Sequence, residues 1–111
     1  MVLVKYSIMK SLYFKTVMSV VSDLTELTEE EILTAPRSRE IVDARWLAVK
    51  LMKDVGLYPE QIAEKMSMTP RTVQYILSNF ADRLRFGDPI LKMYLDIAHT
   101  RLWALREIEK K

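Results

Sequence analysis

Apolar residues recur at intervals of three and four along most of the chain, a pattern typical of amphipathic helices. The first such stretch runs from Ser7 to Leu24 and predicts a helix that ends near Asp23. Its apolar stripe consists of Met9, Leu12, Tyr13, Val17, Val20 and Val21. A stripe of this kind buries one face of the helix against a core.

Two further helices are predicted before residue 57. Thr28 has the position of an N-cap, with Glu31 at capping-box spacing, and Pro36 keeps this helix short because a proline disfavours helical backbone at the preceding residue. Ser38 then caps a long central helix that Gly56 closes. The predicted buried stripe of this helix is Ile41, Val42, Ala44, Leu47, Ala48, Leu51, Met52 and Val55.

Three more helices follow in quick succession. Pro59 suits the first position of the fourth helix, Thr69 caps the fifth, and Gly87 ends it. Asp88 followed by a proline opens a last helix at about 89–109. With only two glycines and four prolines in 111 residues, we expect an all-α fold of five or six helices.

The composition narrows the class of protein. A chain of 111 residues suits one domain, so we expect residues 1–111 to form a single unit. There is no cysteine and no apolar run near the roughly 20 residues that span a bilayer, which favours a cytoplasmic protein without membrane contact. Neither a glycine-rich phosphate loop nor a metal-ligand spacing occurs, so we expect no enzyme activity, cofactor, metal or nucleotide.

The segment at about 59–86 has the pattern of a helix-turn-helix. Only three or four residues separate its two helices, so they must cross steeply, and Ala63 is small where they approach closest. The other residues of the inner face and turn are Ile62, Met66, Met68, Val73 and Ile76. Ser67 stands where such turns usually have glycine, so the backbone there either avoids a positive φ angle or adopts one at a cost.

The outward face of the second of these helices suits duplex DNA. Side chains that would read base edges in the major groove are Arg71, Gln74 and Tyr75. Hydroxyl groups that would bond phosphates belong to Thr69, Thr72 and Ser78. Lys50, in the basic segment that begins after Pro36, would add a phosphate contact that does not depend on sequence.

The order of "EEEIL", "APRSRE" and "DARWLAVKL", followed by the helix-turn-helix, resembles the C-terminal DNA-binding domain of the bacterial replication initiator DnaA, a helix-turn-helix of the Trp-repressor type. This resemblance covers roughly residues 9 to 100. It implies that Arg37 enters a minor groove, with Arg39 nearby and Arg45 in contact with the DNA backbone. A narrow A·T-rich minor groove favours an inserted arginine because its potential is strongly negative.

The resemblance has a gap at the recognition segment. The family reads Asp-His-Thr-Thr-Val after a two-glycine turn, whereas "SMTPRTV" is one residue shorter and matches only at Thr72 and Val73. The family's base contacts are therefore not transferred to Thr69, Pro70 or Arg71, and we expect a different target sequence. "SMTPRTVQYILSNFADRL" also resembles the LuxR-type DNA-binding domain, over about a third of the chain.

The sequence thus predicts sequence-specific binding of double-stranded DNA in replication-origin or transcription control. The alternative is a helical adaptor that binds another protein and no DNA. The last helix keeps that alternative open, because beside a packing seam of Leu91, Leu95, Ala98, Leu102 and Leu105 it carries a second apolar set of Met93, Tyr94, Ile97, Trp103 and Ile108. A homodimer or a protein partner would use this helix.

His99 and Asp96, at helical spacing, are interpreted as a simple side-chain pair, and Trp46 as a packing residue.

Overall fold

A computed structural model describes the backbone of residues 2–109 and the side chains of residues 11–105. Over these residues the chain forms six helices and no strand, which confirms the all-α prediction. The helices are α1 (Val2–Thr25), α2 (Glu29–Thr34), α3 (Arg39–Asp54), α4 (Pro59–Met66), α5 (Pro70–Arg85) and α6 (Pro89–Glu109). The predicted start of α1 at Ser7 was therefore too late, since apolar periodicity marks the packed part of a helix and not its full length.

The helices begin where their caps predict. The side-chain oxygen of Ser38 accepts a hydrogen bond from the backbone N–H of Ile41, and Asp88 does the same for Leu91. Thr28 and Glu31 form both bonds of the capping box. These acceptors satisfy N–H groups that have no partner inside the helix, so each cap fixes the helix start.

Helix α3 is the centre of the domain, because each of the other helices contacts it. Its buried residues are Ile41, Ala44, Leu47, Ala48, Val49, Leu51 and Met52. Val42 and Val55 are only half-buried, whereas Val49, which the predicted stripe omitted, is fully enclosed. Helices pack on more than one side of α3, so its buried face is wider than a single stripe.

Helices α1 and α6 complete the core against α3. They contribute the buried residues Val17, Met18, Val20, Val21, Leu91, Leu95, Ala98 and Leu102. Two predicted core residues lie outside it, since Leu12 is 52% exposed and Leu105 is 42% exposed. The predicted positions of Met9 and Ile108 fall outside the described side chains. No helix in the described part of the chain is both long and apolar enough to span a bilayer.

Arg83 links three helices through two carboxylates. One of its guanidinium nitrogens lies 2.7 Å from Asp43 on α3 and 2.8 Å from Asp88 at the start of α6. Partial burial acts to lower the pKa of Arg83, but the bonds to both carboxylates outweigh this effect and raise the pKa. The backbone N–H of Leu91 lowers the pKa of Asp88, and Arg83 lowers it further. Arg83 and Asp88 therefore stay charged at neutral pH, and their contact holds the end of α5 against the start of α6.

His99 pairs with a different carboxylate from the predicted one. Its Nε2 atom lies 2.7 Å from Oδ2 of Asp54 on α3, while Asp96 contacts Lys92 on its own helix. The prediction of an Asp96 pair was wrong because α3 lies against α6 and presents a closer acceptor. The ring of Trp103 stacks on His99 with a centroid distance of 5.4 Å.

The turn between α4 and α5 contains a strained residue. Ser67 has φ 54° and ψ 45°, in the left-handed region that non-glycine residues rarely adopt. The N–H of Met68 donates to the carbonyl oxygen of Ala63, five residues earlier, at 3.0 Å. This is the bond that spans more residues of the two in a Schellman motif. The sequence left open whether Ser67 avoids a positive φ angle or adopts one at a cost, and the structure shows that it adopts one.

We predict that Ser67→Gly raises the free energy of unfolding by about 0.5–1 kcal/mol, because glycine has no Cβ to clash in the left-handed region. Ser78→Gly is the matched control, since Ser78 lies exposed inside α5 and glycine there should lower stability by about the same amount. Urea unfolding followed by circular dichroism measures both. If Ser67→Gly lost as much stability as Ser78→Gly, the backbone at Ser67 would not be strained.

Candidate nucleic-acid interface

Helices α4 and α5 cross closely, as a helix-turn-helix requires. The residues of the predicted inner face are all buried: Ile62, Ala63, Met66, Val73 and Ile76 are each at most 3% exposed. Met68 is half-buried against the same core. The short turn and the small side chain of Ala63 let the two helices pack closely, and the opposite face of α5 is left exposed to solvent.

The outer face of α5 carries the predicted base-reading side chains. Arg71, Gln74 and Ser78 are exposed and lie three and four residues apart, which places them along one side of the helix. Tyr75 is 61% exposed and lies next to this line, turned toward α3. All four side chains are exposed, which confirms the prediction that they face away from the core.

The hydroxyl groups at the start of α5 bond each other. Oγ1 of Thr69 accepts a hydrogen bond from the N–H of Thr72 at 3.1 Å and lies 2.9 Å from Oγ1 of Thr72. Only one of the two hydroxyl hydrogens is used between them, so the other remains available to donate to an outside acceptor. The pair can therefore cap the helix and still offer one donor.

A groove separates α5 from the loop between α2 and α3. Its volume is about 760 Å³, which lies in the range of ligand-binding sites. Its polar or aromatic lining is Arg37, Arg45, Trp46, Ser67, Thr69, Arg71, Thr72 and Tyr75, and its apolar lining is Leu33, Val42, Met66, Met68 and Ile76. Three arginines and no acidic side chain occur among these lining residues, so the groove favours an anionic ligand.

Arg45 holds the loop side of this groove. Its Nε atom donates to the carbonyl oxygen of Ile32 at 2.5 Å, and a terminal nitrogen donates to the carbonyl oxygen of Ala35 at 2.7 Å. These carbonyls lie at the end of α2, where they lack partners within the helix. The predicted contact of Arg45 with a DNA backbone stays a prediction, and the structure adds this positioning role, which sequence reasoning missed.

Trp46 supports the recognition side of the groove. Its ring meets Tyr75 edge to face with a centroid distance of 6.0 Å, and the guanidinium of Arg83 lies 5.0 Å from the centre of the same ring. The packing interpretation of Trp46 is thus confirmed, but its contact with an exposed residue of α5 was not predicted. Edge-to-face geometry orients the tyrosine ring without burying it.

The structure does not bring all the predicted site residues together. The lining of the groove leaves out Arg39, Lys50, Gln74 and Ser78. Lys50 bonds Asp54 at 3.0 Å on the side of α3 that faces α6. Arg39 is exposed, and its charge helps to lower the pKa of Asp88. Gln74 and Ser78 belong to the outer face of α5, so the roles of these four side chains in DNA binding stay predictions.

Comparison with known proteins gives one match. Residues 42–86, which run from early in α3 to the end of α5, match the family model of the homeodomain-like domain. No curated protein and no solved structure matches the chain significantly. The matched part contains α4, α5 and the turn at Ser67, but it begins after Arg37 and Arg39. The chain therefore contains a homeodomain-like helix-turn-helix region, which indicates DNA binding, whereas the resemblance to DnaA in particular receives no support from the match.

Proposed function

We propose that this protein binds duplex DNA sequence-specifically, with α5 in the major groove and the α2–α3 loop in the adjacent minor groove. The observation that carries the proposal is the groove between these two elements. Arg37 and Arg71 are 34 positions apart in the sequence, yet both line it. A groove lined by cations on both sides fits a polyanion better than it fits a neutral peptide.

The outer face of α5 supports insertion into the major groove. The major groove of B-DNA admits a helix, and its base edges present hydrogen-bonding patterns that distinguish all four base pairs. Arginine forms paired bonds with guanine, and glutamine forms them with adenine. We therefore assign Arg71 and Gln74, in the first two turns of α5, to base readout, with Tyr75 beside them.

The groove itself suits the sugar-phosphate strand that separates a major from a minor groove. Thr69 and Thr72 provide one free hydroxyl hydrogen at its edge, and Arg71 lies between them in the first turn of α5. Contacts of this kind fix the register of a protein on DNA without reading the sequence. On this assignment Arg45 contributes positive charge from the loop side of the groove while its bonds to the end of α2 keep the loop in place.

The biological setting we propose is control of a replication origin or of transcription. The order of the acidic segment that forms α2, the basic loop and the helix-turn-helix supports the first, because it resembles the DNA-binding domain of DnaA. The helix-turn-helix alone supports either. In both settings the chain would mark a site or compete for it.

We predict that Arg71→Ala lowers affinity for a selected target duplex by roughly 1–3 kcal/mol and reduces discrimination against that target with one base changed. Lys50→Ala, the matched loss of one positive charge, should cost little and affect every duplex alike, since Lys50 pairs with Asp54 on the side of α3 that faces α6, away from α5. Fluorescence anisotropy at a fixed salt concentration measures both. Equal losses on every duplex for Arg71→Ala would contradict base reading.

We predict that Arg37→Ala removes a preference for A·T pairs beside the site read by α5. Wild-type protein should bind a target with an A·T-rich flank more tightly than the same target with a G·C-rich flank, because the narrow A·T minor groove attracts arginine. The variant should bind both duplexes with the same, weaker affinity. Competition between the two duplexes measures the ratio, and an unchanged ratio in the variant would assign the loop arginine to phosphates instead.

A further inference from the structure

Helix α6 exposes a line of large apolar side chains on the face turned away from the core. Ile90 is 60% exposed, Met93 is 50% exposed and Ile97 is 36% exposed, and their spacing of three and four places them on one side of the helix. We call these three residues the outer stripe. Phe86, in the turn that leads into α6, is 82% exposed. Single exposed apolar residues are ordinary, whereas contiguous exposed apolar surface is a feature of contact sites.

Two opposite charges flank the outer stripe on the same side. Lys92 and Asp96 bond each other at 3.4 Å and are both nearly two-thirds exposed. Successive helical residues are rotated by about 100° around the helix axis. Viewed down this axis, Lys92 and Asp96 both lie on the same side of Met93, and Ile90 and Ile97 lie on its other side. The stripe therefore has one charged border in which the cation precedes the anion by one turn.

We propose that the outer stripe binds a second copy of this chain, with the two α6 helices antiparallel around a two-fold axis beside Met93. In such a pair the two-fold axis brings the charged border of one helix beside the charged border of the other. Ile90 then faces the partner's Ile97, and Lys92 faces the partner's Asp96, twice over by symmetry. A parallel pair would set the charged border of one helix against the opposite border of the other and would form neither ion pair.

The size of the stripe sets the strength of the contact. From Ile90 to Ile97 the helix rises about 10 Å, so the interface lies at the small end of the range for specific association. We therefore expect Kd on the order of 10–100 μM, a dimer that forms and separates readily. This inference does not require the proposed DNA binding, and it is tested without DNA.

Sedimentation equilibrium of the full chain tests the dimer. The apparent mass should rise from 13.0 kDa toward twice that value as the concentration increases to about 500 μM. Met93→Glu should keep the chain at monomer mass throughout, because it sets two carboxylates against each other beside the axis. Ala81→Glu, which adds the same charge on the exposed surface of α5, should dimerise like the wild type. Circular dichroism and thermal melting establish that each variant is folded.

Exchange of the border charges tests the antiparallel arrangement. Lys92→Glu alone and Asp96→Lys alone should each dimerise about five- to tenfold more weakly, since every ion pair across the interface becomes a repulsion. A mixture of these two variants should form mixed dimers, because the introduced glutamate of one variant then faces the introduced lysine of the other, and the remaining native Asp96 faces the remaining native Lys92. A fluorescent label on one variant makes the mixed species visible in sedimentation.

Three results would overturn the proposal. The wild-type chain could stay at 13.0 kDa over the whole range, which would leave the stripe to a partner of another kind. Met93→Glu could dimerise as strongly as Ala81→Glu, which would place the interface elsewhere. The mixed variants could associate no better than each alone, which would exclude the antiparallel border contact. Because none of these samples contains DNA, failure here is distinct from failure of the proposed DNA binding.

Discussion

The candidate site depends on the two hydrogen bonds between the Arg45 guanidinium and the carbonyl groups at the end of α2. The last carbonyls of a helix carry partial negative charge and have no partner within the helix, so two guanidinium donors satisfy them well. Arg45 donates to Ile32 and Ala35, and this fixes where α2 stops and how the next residues leave it. Arg37 lies two residues after Ala35, and the chain then enters α3 at its Ser38 cap. Both ends of the loop are therefore anchored to α3, which places the loop beside the helix-turn-helix.

The other side of the site depends on α3 as well. Burial of Val73, Ile76 and Phe80 in the common core fixes the rotation of α5, and Trp46 and Arg83 then determine its position along α3. This scaffold presents a row of exposed side chains from a fixed helix, which base recognition would require because each misplaced donor loses its acceptor. The same scaffold turns one face of α6 outward, so DNA and a second copy of the chain would meet different surfaces.

Much of the fold follows from local chemistry that a sequence displays. The caps at Thr28, Ser38 and Asp88 involve residues three positions apart, so reading them needs no tertiary information. The helix-turn-helix is similar, because a small residue, a short turn and an N-cap lie within a single segment. The direction of the α5 side chains follows from the same period of 3.6 residues.

What the sequence did not predict involves contacts between distant segments. The partner of His99 is Asp54, 45 positions away, and no spacing on α6 reveals it. The bonds of Arg45 reach carbonyl groups, which every residue possesses and which therefore leave no signal in the sequence. Ser67 was compatible with two backbone conformations, and the left-handed one occurs together with the bond from Met68 back to Ala63, which closes the turn. Leu12 was assigned to the core because periodicity identifies a face, whereas burial depends on which neighbours cover it.

The most direct test of DNA binding is to mix the full chain with a randomised duplex pool at two salt concentrations, alongside the Arg37→Ala/Arg71→Ala double variant. The wild-type protein should bind at low salt and enrich particular sequences, and its binding should weaken steeply as salt increases, because phosphate contacts release counterions. The folded double variant should lose this binding. If the folded wild-type protein left the duplexes unbound at low salt, or if the double variant bound them equally well, the groove between the loop and α5 would not be a DNA site.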